Sequence, residues 1–142
     1  MTATSPVVPG ATTTSRVVLG LGLRRGTPAA ELLRTADAAL AACGLDRTAV
    51  ILVATLDSKL SEPGLCAAAR ELGVPMVGHP AAVLAAVPVA GSARVAAAVG
   101  TPSVAEAAAL ASAGPAARLL APRTASASAT AALAAPPQET TR

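Results

Sequence analysis

The chain has 142 residues, of which 53% are hydrophobic, 13% are charged and none is aromatic. Without Phe, Tyr or Trp it cannot read nucleic acid by stacking bases on such rings, cage a quaternary ammonium with them, or set aromatic belts at a membrane interface. The formal net charge of +3 comes from scattered arginines and the single lysine, Lys59; no basic stripe points to DNA or RNA, and a small anionic ligand fits better if the arginines converge.

The length suits one domain. Alanine supplies about a quarter of the residues, far above ordinary usage. Cys43 and Cys66 are far apart, form no CxxC and read as reduced thiols of a cytoplasmic protein. Residues 1–15 carry neither a basic n-region nor a continuous apolar run, so they do not read as a signal peptide. They are Thr, Ser, Pro, Ala and Gly, and read as a disordered tail, as do residues 136–142; residues 16–135 form the expected domain.

Along that domain, strand and helix patterns alternate. Residues 16–23 (RVVLGLGL) read as a short buried strand. Thr27 offers an N-cap with Pro28 at the first helical position. The helix carries Leu32, Leu33, Ala36 and Leu40 on one face and stops at Gly44. Residues 49–55 (AVILVAT) are continuous and β-branched, as in a central strand buried on both faces. Glu62 and Pro63 open a second helix, with Ser61 or Glu62 as its cap, and Gly73 closes it. Residues 74–77 read as a third strand and 80–86 as one or two helical turns. The uncharged stretch 72–93 is broken by Pro75, Pro80 and Pro88, which argues against a membrane span.

Thr101, Pro102 and Ser103 start another helix, where Ser103 and Glu106 have capping-box spacing. Residues 118–121 and 129–134 read as final strands, with a turn (PRTASAS) between them. The alternation predicts an α/β fold, three layers around a mostly parallel sheet that the last two strands could make mixed.

Three segments carry candidate chemistry. Residues 20–26 (GLGLRRG) follow the first strand. Gly20, Gly22 and Gly26 read as backbone freedom for a tight turn. The spacing departs from a dinucleotide fingerprint, and no acid stands where a ribose would need one. Arg24 and Arg25 lie just outside the carboxyl end of a strand, where open α/β sheets bind ligands, and guanidinium forks suit carboxylate or phosphate. Residues 54–64 (ATLDSKLSEPG) place Thr55, Asp57, Lys59 and Glu62 past an apolar run; Asp57 and Lys59 read equally as a structural ion pair. Gly100, Thr101 and Ser103 form a helix start that either caps plainly or holds an anion on free amides. His79 reads as a plain loop residue, and without a second histidine or clustered cysteines no metal or other cofactor is expected.

GLGLRRGTP, ATLDSKLSEPGL and VGTPSVAEAAAL, in that order, resemble the CobE family, which is also the C-terminal domain of CbiG, of cobalamin (vitamin B12) biosynthesis. The resemblance spans residues 16–134. It implies an α/β/α domain with a mixed sheet and a role at the ring-contraction stage, where CbiG opens the lactone of cobalt-precorrin-5A with loss of acetaldehyde. Leu23 stands where the family commonly has cysteine, and Arg123 stands alone where it tends to have a basic cluster. The resemblance is to the C-terminal domain of CbiG and not to its N-terminal half, so lactone opening by this chain alone is not expected if that half is needed.

The resulting expectation is a binder of a polycarboxylate precorrin or corrinoid intermediate that assists lactone opening or passes the intermediate on. Arg24, Arg25, Lys59, Thr55, Gly100, Thr101 and Ser103 would bind it, and Asp57 or Glu62 would be the base toward water. Two alternatives stay open: a small nucleotide- or phosphosugar-binding α/β enzyme, and a non-catalytic partner subunit of another cobalamin-pathway enzyme. Neither nucleic acid nor membrane is an expected partner.

Overall fold

A computed structural model describes residues 16–87, 104–114, 117–120 and 123–136. Both expected tails, apart from Pro136, and the helix start at Gly100, Thr101 and Ser103 lie outside these residues.

The strands are β1 (Val17–Leu23), β2 (Val50–Leu56), β3 (Met76–His79), β4 (Arg118–Leu119), β5 (Thr124–Ala125) and β6 (Ala129–Ala135). The helices are α1 (Ala29–Ala42), α2 (Pro63–Leu72), α3 (Ala81–Ala86) and α4 (Val104–Ala113), with short 3-10 turns at Arg47–Ala49 and Asp57–Lys59. The strands form one mixed sheet in the order β3-β2-β1-β6-β4, with β5 also paired to β6. β1, β2 and β3 run parallel, and β6 lies antiparallel to β1. The expected α/β single domain is the observed one, but its sheet is mixed rather than mostly parallel: β1–β2 and β2–β3 are parallel, whereas the pairings of β6 with β1, β4 and β5 are antiparallel.

The helices cover the sheet unequally. Strand alternation sends Val17, Leu19, Leu21 and Leu23 of β1 to one face, where they meet Leu32, Ala36 and Leu40 of α1 and Leu65, Ala68 and Ala69 of α2. The same alternation gives the opposite face Val18, Gly20 and Gly22 from β1, and Thr130, Ala132 and Ala134 from β6. Nearly everything there is small. Onto it packs α4, whose residues 105–109 are buried without a break, as expected of a helix apolar almost all round. Leu84 of α3 joins this second cluster. The core thus pairs a leucine face with one that is glycine and alanine at its β1–β6 centre and carries Leu52, Leu56, Leu84, Leu110 and Leu119 around it. Close approach of backbone on the second face replaces the bulk that aromatic rings would otherwise supply.

Local chemistry explains the boundaries. Gly73 takes a φ of 74°, which ends α2 while the amide of Val74 reaches back to the Ala69 carbonyl. At Gly44, α1 ends with the Leu45 amide bonded to the Leu40 carbonyl. Pro80 precedes α3 as its N-cap.

Several expectations need correction. α1 begins at Ala29 with Pro28 in the cap position, because the Thr27 side chain is engaged elsewhere. Glu62 occupies the cap position of α2 but its side chain caps nothing there. β2 is not buried throughout, for Ile51 is 37% exposed. The pairing slips there: Val17 faces Val50 and Val18 faces Leu52, so Ile51 is an extra residue in a bulge. That bulge lets both Val50 and Val53 join the leucine face. β3 runs two residues later than expected, because Pro75 precedes it and His79 still pairs beside Leu56. The stretch read as a turn before the last strand contains β5, so β4 and β5 both lie along β6.

Candidate functional site

The register puts three loops at one edge of the sheet. Gly20 pairs with Ala54, Leu56 with His79, and Leu23 with Ala129. The segments after β1 and β2, and the turn before β6, therefore emerge together at the carboxyl ends of the parallel strands. Open α/β sheets bind ligands at such an edge.

Hydrogen bonds join the three loops. The Arg24 amide donates to the Ser128 carbonyl at 2.9 Å. The buried Thr27 hydroxyl donates to the Arg24 carbonyl at 2.8 Å and lies 3.0 Å from the Ser128 hydroxyl. Glu31, in the first turn of α1, accepts from the Ser126 hydroxyl at 2.6 Å and the Ser128 amide at 2.8 Å. These bonds hold the Glu31 carboxyl below its ordinary range, the Ser126 bond most strongly. On the other side, the Gly26 amide donates to Glu62 Oε1 at 2.9 Å. Gly64 packs so tightly on Thr27 that a Cβ there would overlap the Thr27 carbonyl oxygen.

Within this frame Arg24 and Arg25 are exposed. Among the described residues neither guanidinium has an ion-pair partner, and the same holds for Lys59 and Asp57. Asp57 and Lys59 share a single 3-10 turn and do not pair with each other, so that structural reading falls. The Asp57 backbone lies against Gly78, where a Cβ would stand 2.7 Å from the Asp57 Cα.

Other expected site residues are occupied by the fold. Thr55 is fully buried and donates to the Leu21 carbonyl at 2.7 Å, which ties β2 to β1. Gly20 and Gly22 lie inside β1 against α4, not in a turn; only Gly26, with a φ of 82°, serves the turn itself. With two of its glycines used for helix packing, the segment is not a phosphate loop of the dinucleotide kind. Arg123 stands 3.6 Å from the buried carboxylate of Glu106. Gly100, Thr101 and Ser103 lie outside the described residues.

The sequence reading missed Glu31, Ser126 and Ser128, and gave Thr27 only as a helix cap. Their bonds join residues about a hundred positions apart, and no local spacing announces them. It also misplaced His79, which ends β3 rather than sitting in a loop, half-buried with Nε2 2.6 Å from the Ser112 hydroxyl of α4. Cys43 and Cys66 are free thiols, and the Cys66 thiol donates to the Leu60 carbonyl at 3.2 Å. Among the described residues no cluster of His, Cys, Asp and Glu could hold a metal ion, and no helix is long and apolar enough to cross a membrane.

Residues 17–134 match the family described as "Cobalamin synthesis G C-terminus". The chain is 44% identical over 127 residues to Protein CobE of a Sinorhizobium species, covering 84% of this chain and 80% of that protein. Its structure is similar to that of CobE, described as a protein from the cobalamin (vitamin B12) biosynthetic pathway. The TM-score is 0.70 at 34% identity, over 84% of this chain and 89% of the other. It is also similar to the cobalamin biosynthesis protein chiG from Agrobacterium tumefaciens, with a TM-score of 0.68 at 36% identity, over 86% and 99% of the two chains. A protein from Sulfolobus solfataricus, described as a homolog of cobalamin biosynthesis protein G, shares the fold at 18% identity with a TM-score of 0.62, over 84% of this chain and 36% of the other. The chain belongs to the cobalamin synthesis G C-terminus family, and is a cobalamin biosynthesis protein of the CobE and CbiG C-terminal type.

Proposed function

We propose that the protein binds a polycarboxylate precorrin or corrinoid intermediate at the carboxyl edge of its sheet, and either assists lactone opening or passes the intermediate on. One observation carries this reading. Arg24, Arg25 and Lys59 present cationic groups at one edge, without ion-pair partners among the described residues, on loops that hydrogen bonds hold together. Precorrin side chains end in acetate and propionate, and guanidinium groups bind such carboxylates through paired, charge-assisted hydrogen bonds. Loops already joined need less ordering when ligand arrives, which favours affinity.

Binding has better support than catalysis. If lactone opening occurs here, the exposed Asp57 is the carboxylate suited to activate water, with Lys59 in the same turn to meet developing negative charge. Glu62 already accepts the Gly26 amide.

The test is co-elution. Purified protein is mixed with a precorrin-stage intermediate at low salt and passed over a gel-filtration column. The pigment should travel with the protein, and Arg24→Ala with Arg25→Ala should release it. Free pigment with the native protein would overturn the reading.

A further inference from the structure

Glu62 stands at the cap position of α2, yet its carboxylate leaves that helix for the Gly26 amide. The turn it reaches needs a tether. Gly26 is left-handed, and a Cβ built there would meet nothing within 4 Å, so no side-chain packing secures the turn on that side. On its other side the turn is held through Arg24 and Thr27 to Ser128. Arg25 lies between the two anchors. Two residues beyond Glu62, Gly64 sits directly on the Thr27 carbonyl, which brings the whole corner against the turn.

We propose that Glu62 is a positioning residue: its carboxylate clamps the Arg24–Gly26 turn onto the corner after β2 and so fixes where the two guanidinium groups stand. The proposal rests on the reading of this edge as a carboxylate-binding site, but the clamp itself can be measured without ligand. The clamp needs an acceptor of the right reach, not a negative charge. That charge stands on a loop shared with Lys59, on the edge where ligand carboxylates would arrive, and would repel them. Reach and charge separate in three variants. Glu62→Gln keeps the acceptor and loses the charge. Glu62→Asp keeps the charge, loses the reach and remains a good N-cap. Glu62→Ala loses both.

Two readouts decide it. The first is hydrogen exchange of the Gly26 amide by NMR on the unliganded, full-length protein. Exchange should accelerate in Glu62→Ala and Glu62→Asp, and stay near the native rate in Glu62→Gln. The second is titration with uroporphyrin, a tetrapyrrole carrying acetate and propionate side chains, at low salt. Affinity should fall by up to about tenfold in Glu62→Asp, the scale of a net hydrogen bond, and by less in Glu62→Ala, which also removes the repelling charge. It should hold or rise in Glu62→Gln. Unchanged Gly26 exchange in Glu62→Asp would overturn the clamp. Equal loss of binding in Glu62→Gln and Glu62→Ala would show that the charge itself acts. If native protein does not bind uroporphyrin, the carboxylate-site reading fails, while the exchange measurement still judges the clamp.

Discussion

The backbone of Gly20 lies against the backbone of Ala105, so that a Cβ on Gly20 would overlap the Ala105 carbonyl oxygen and stand 2.9 Å from the Ala109 Cβ. A backbone carbonyl in a buried helix cannot swing aside as a side-chain tip can. Gly20→Ala should therefore shift α4 and cost on the order of 2–3 kcal/mol, as overpacking does. Gly22 differs, because the nearest atom to its Cβ position is the Val104 Cβ at 3.6 Å, an ordinary contact. Gly22→Ala should stay within about 1 kcal/mol of native. Urea denaturation of the two variants compares them; equal losses would mean that α4 does not press on Gly20.

This contact also shows where the sequence was legible and where it was not. The alternation of apolar runs with Pro- and Gly-bounded helices was enough to order the layers, since Gly44 and Gly73 do end helices. Glycine inside a strand is ambiguous: it serves a turn, a bulge or a close approach equally well. Gly20 and Gly22 fall within the strand expected over residues 16–23, yet with Gly26 they also read as a tight turn between strand and helix, whereas their partner is a helix some eighty residues on. Thr55 misled for a similar reason. A polar residue at the end of an apolar strand looks available for ligand until the neighbouring carbonyl of Leu21 is seen to accept its hydrogen bond. That Arg24, Arg25, Asp57 and Lys59 follow the carboxyl ends of parallel strands is legible, because strand order alone defines that place. The bonds from Thr27 and Glu31 to the turn before β6 are not, because they depend on where β6 returns.

Thr55 should behave as a structural residue. Thr55→Val keeps the branched shape and removes the donor to Leu21, so stability should fall by about 1 kcal/mol. Uroporphyrin binding, measured by absorbance titration on the folded variant, should remain native. A several-fold loss of affinity with unchanged stability would instead place Thr55 in contact with ligand.

Glu31 gives the fold a pH dependence of defined sign. The Ser126 hydroxyl and the Ser128 amide and hydroxyl lower its pKa below the ordinary 4.5. A carboxyl depressed in the folded state adds stability that is fully present above its unfolded pKa and is lost as pH falls through the folded one. Native protein should thus lose stability on acidification below 4.5, and Glu31→Gln should lose less. Asp37, lowered by its hydrogen bond to Arg47, titrates in the same direction but is unaffected by this substitution. The difference between native and Glu31→Gln unfolding free energies should therefore be greatest near neutrality and shrink in acid. A constant difference would mean that Glu31 is no more strongly held as an anion in the folded state.

The absence of aromatic rings makes a last prediction about how a flat conjugated ligand is gripped. Stacking on Phe, Tyr or Trp is closed to this chain, so the binding proposed above rests on the ligand's carboxylate rim meeting Arg24, Arg25 and Lys59. Exposed charges attract over a distance set by ionic strength, about 30 Å at ~0.01 M and about 8 Å at ~0.15 M. Uroporphyrin affinity should fall steadily across that range. Arg24→Ala and Arg25→Ala should each weaken binding at low salt and flatten the salt dependence, because each removes one of the screened interactions. Arg70→Ala serves as the control: Arg70 is equally exposed but lies in the last turn of α2, away from the carboxyl edge. Its loss should leave the slope unchanged. If Arg70→Ala flattens the slope as much as Arg24→Ala, the attraction is a property of the net charge and not of this edge.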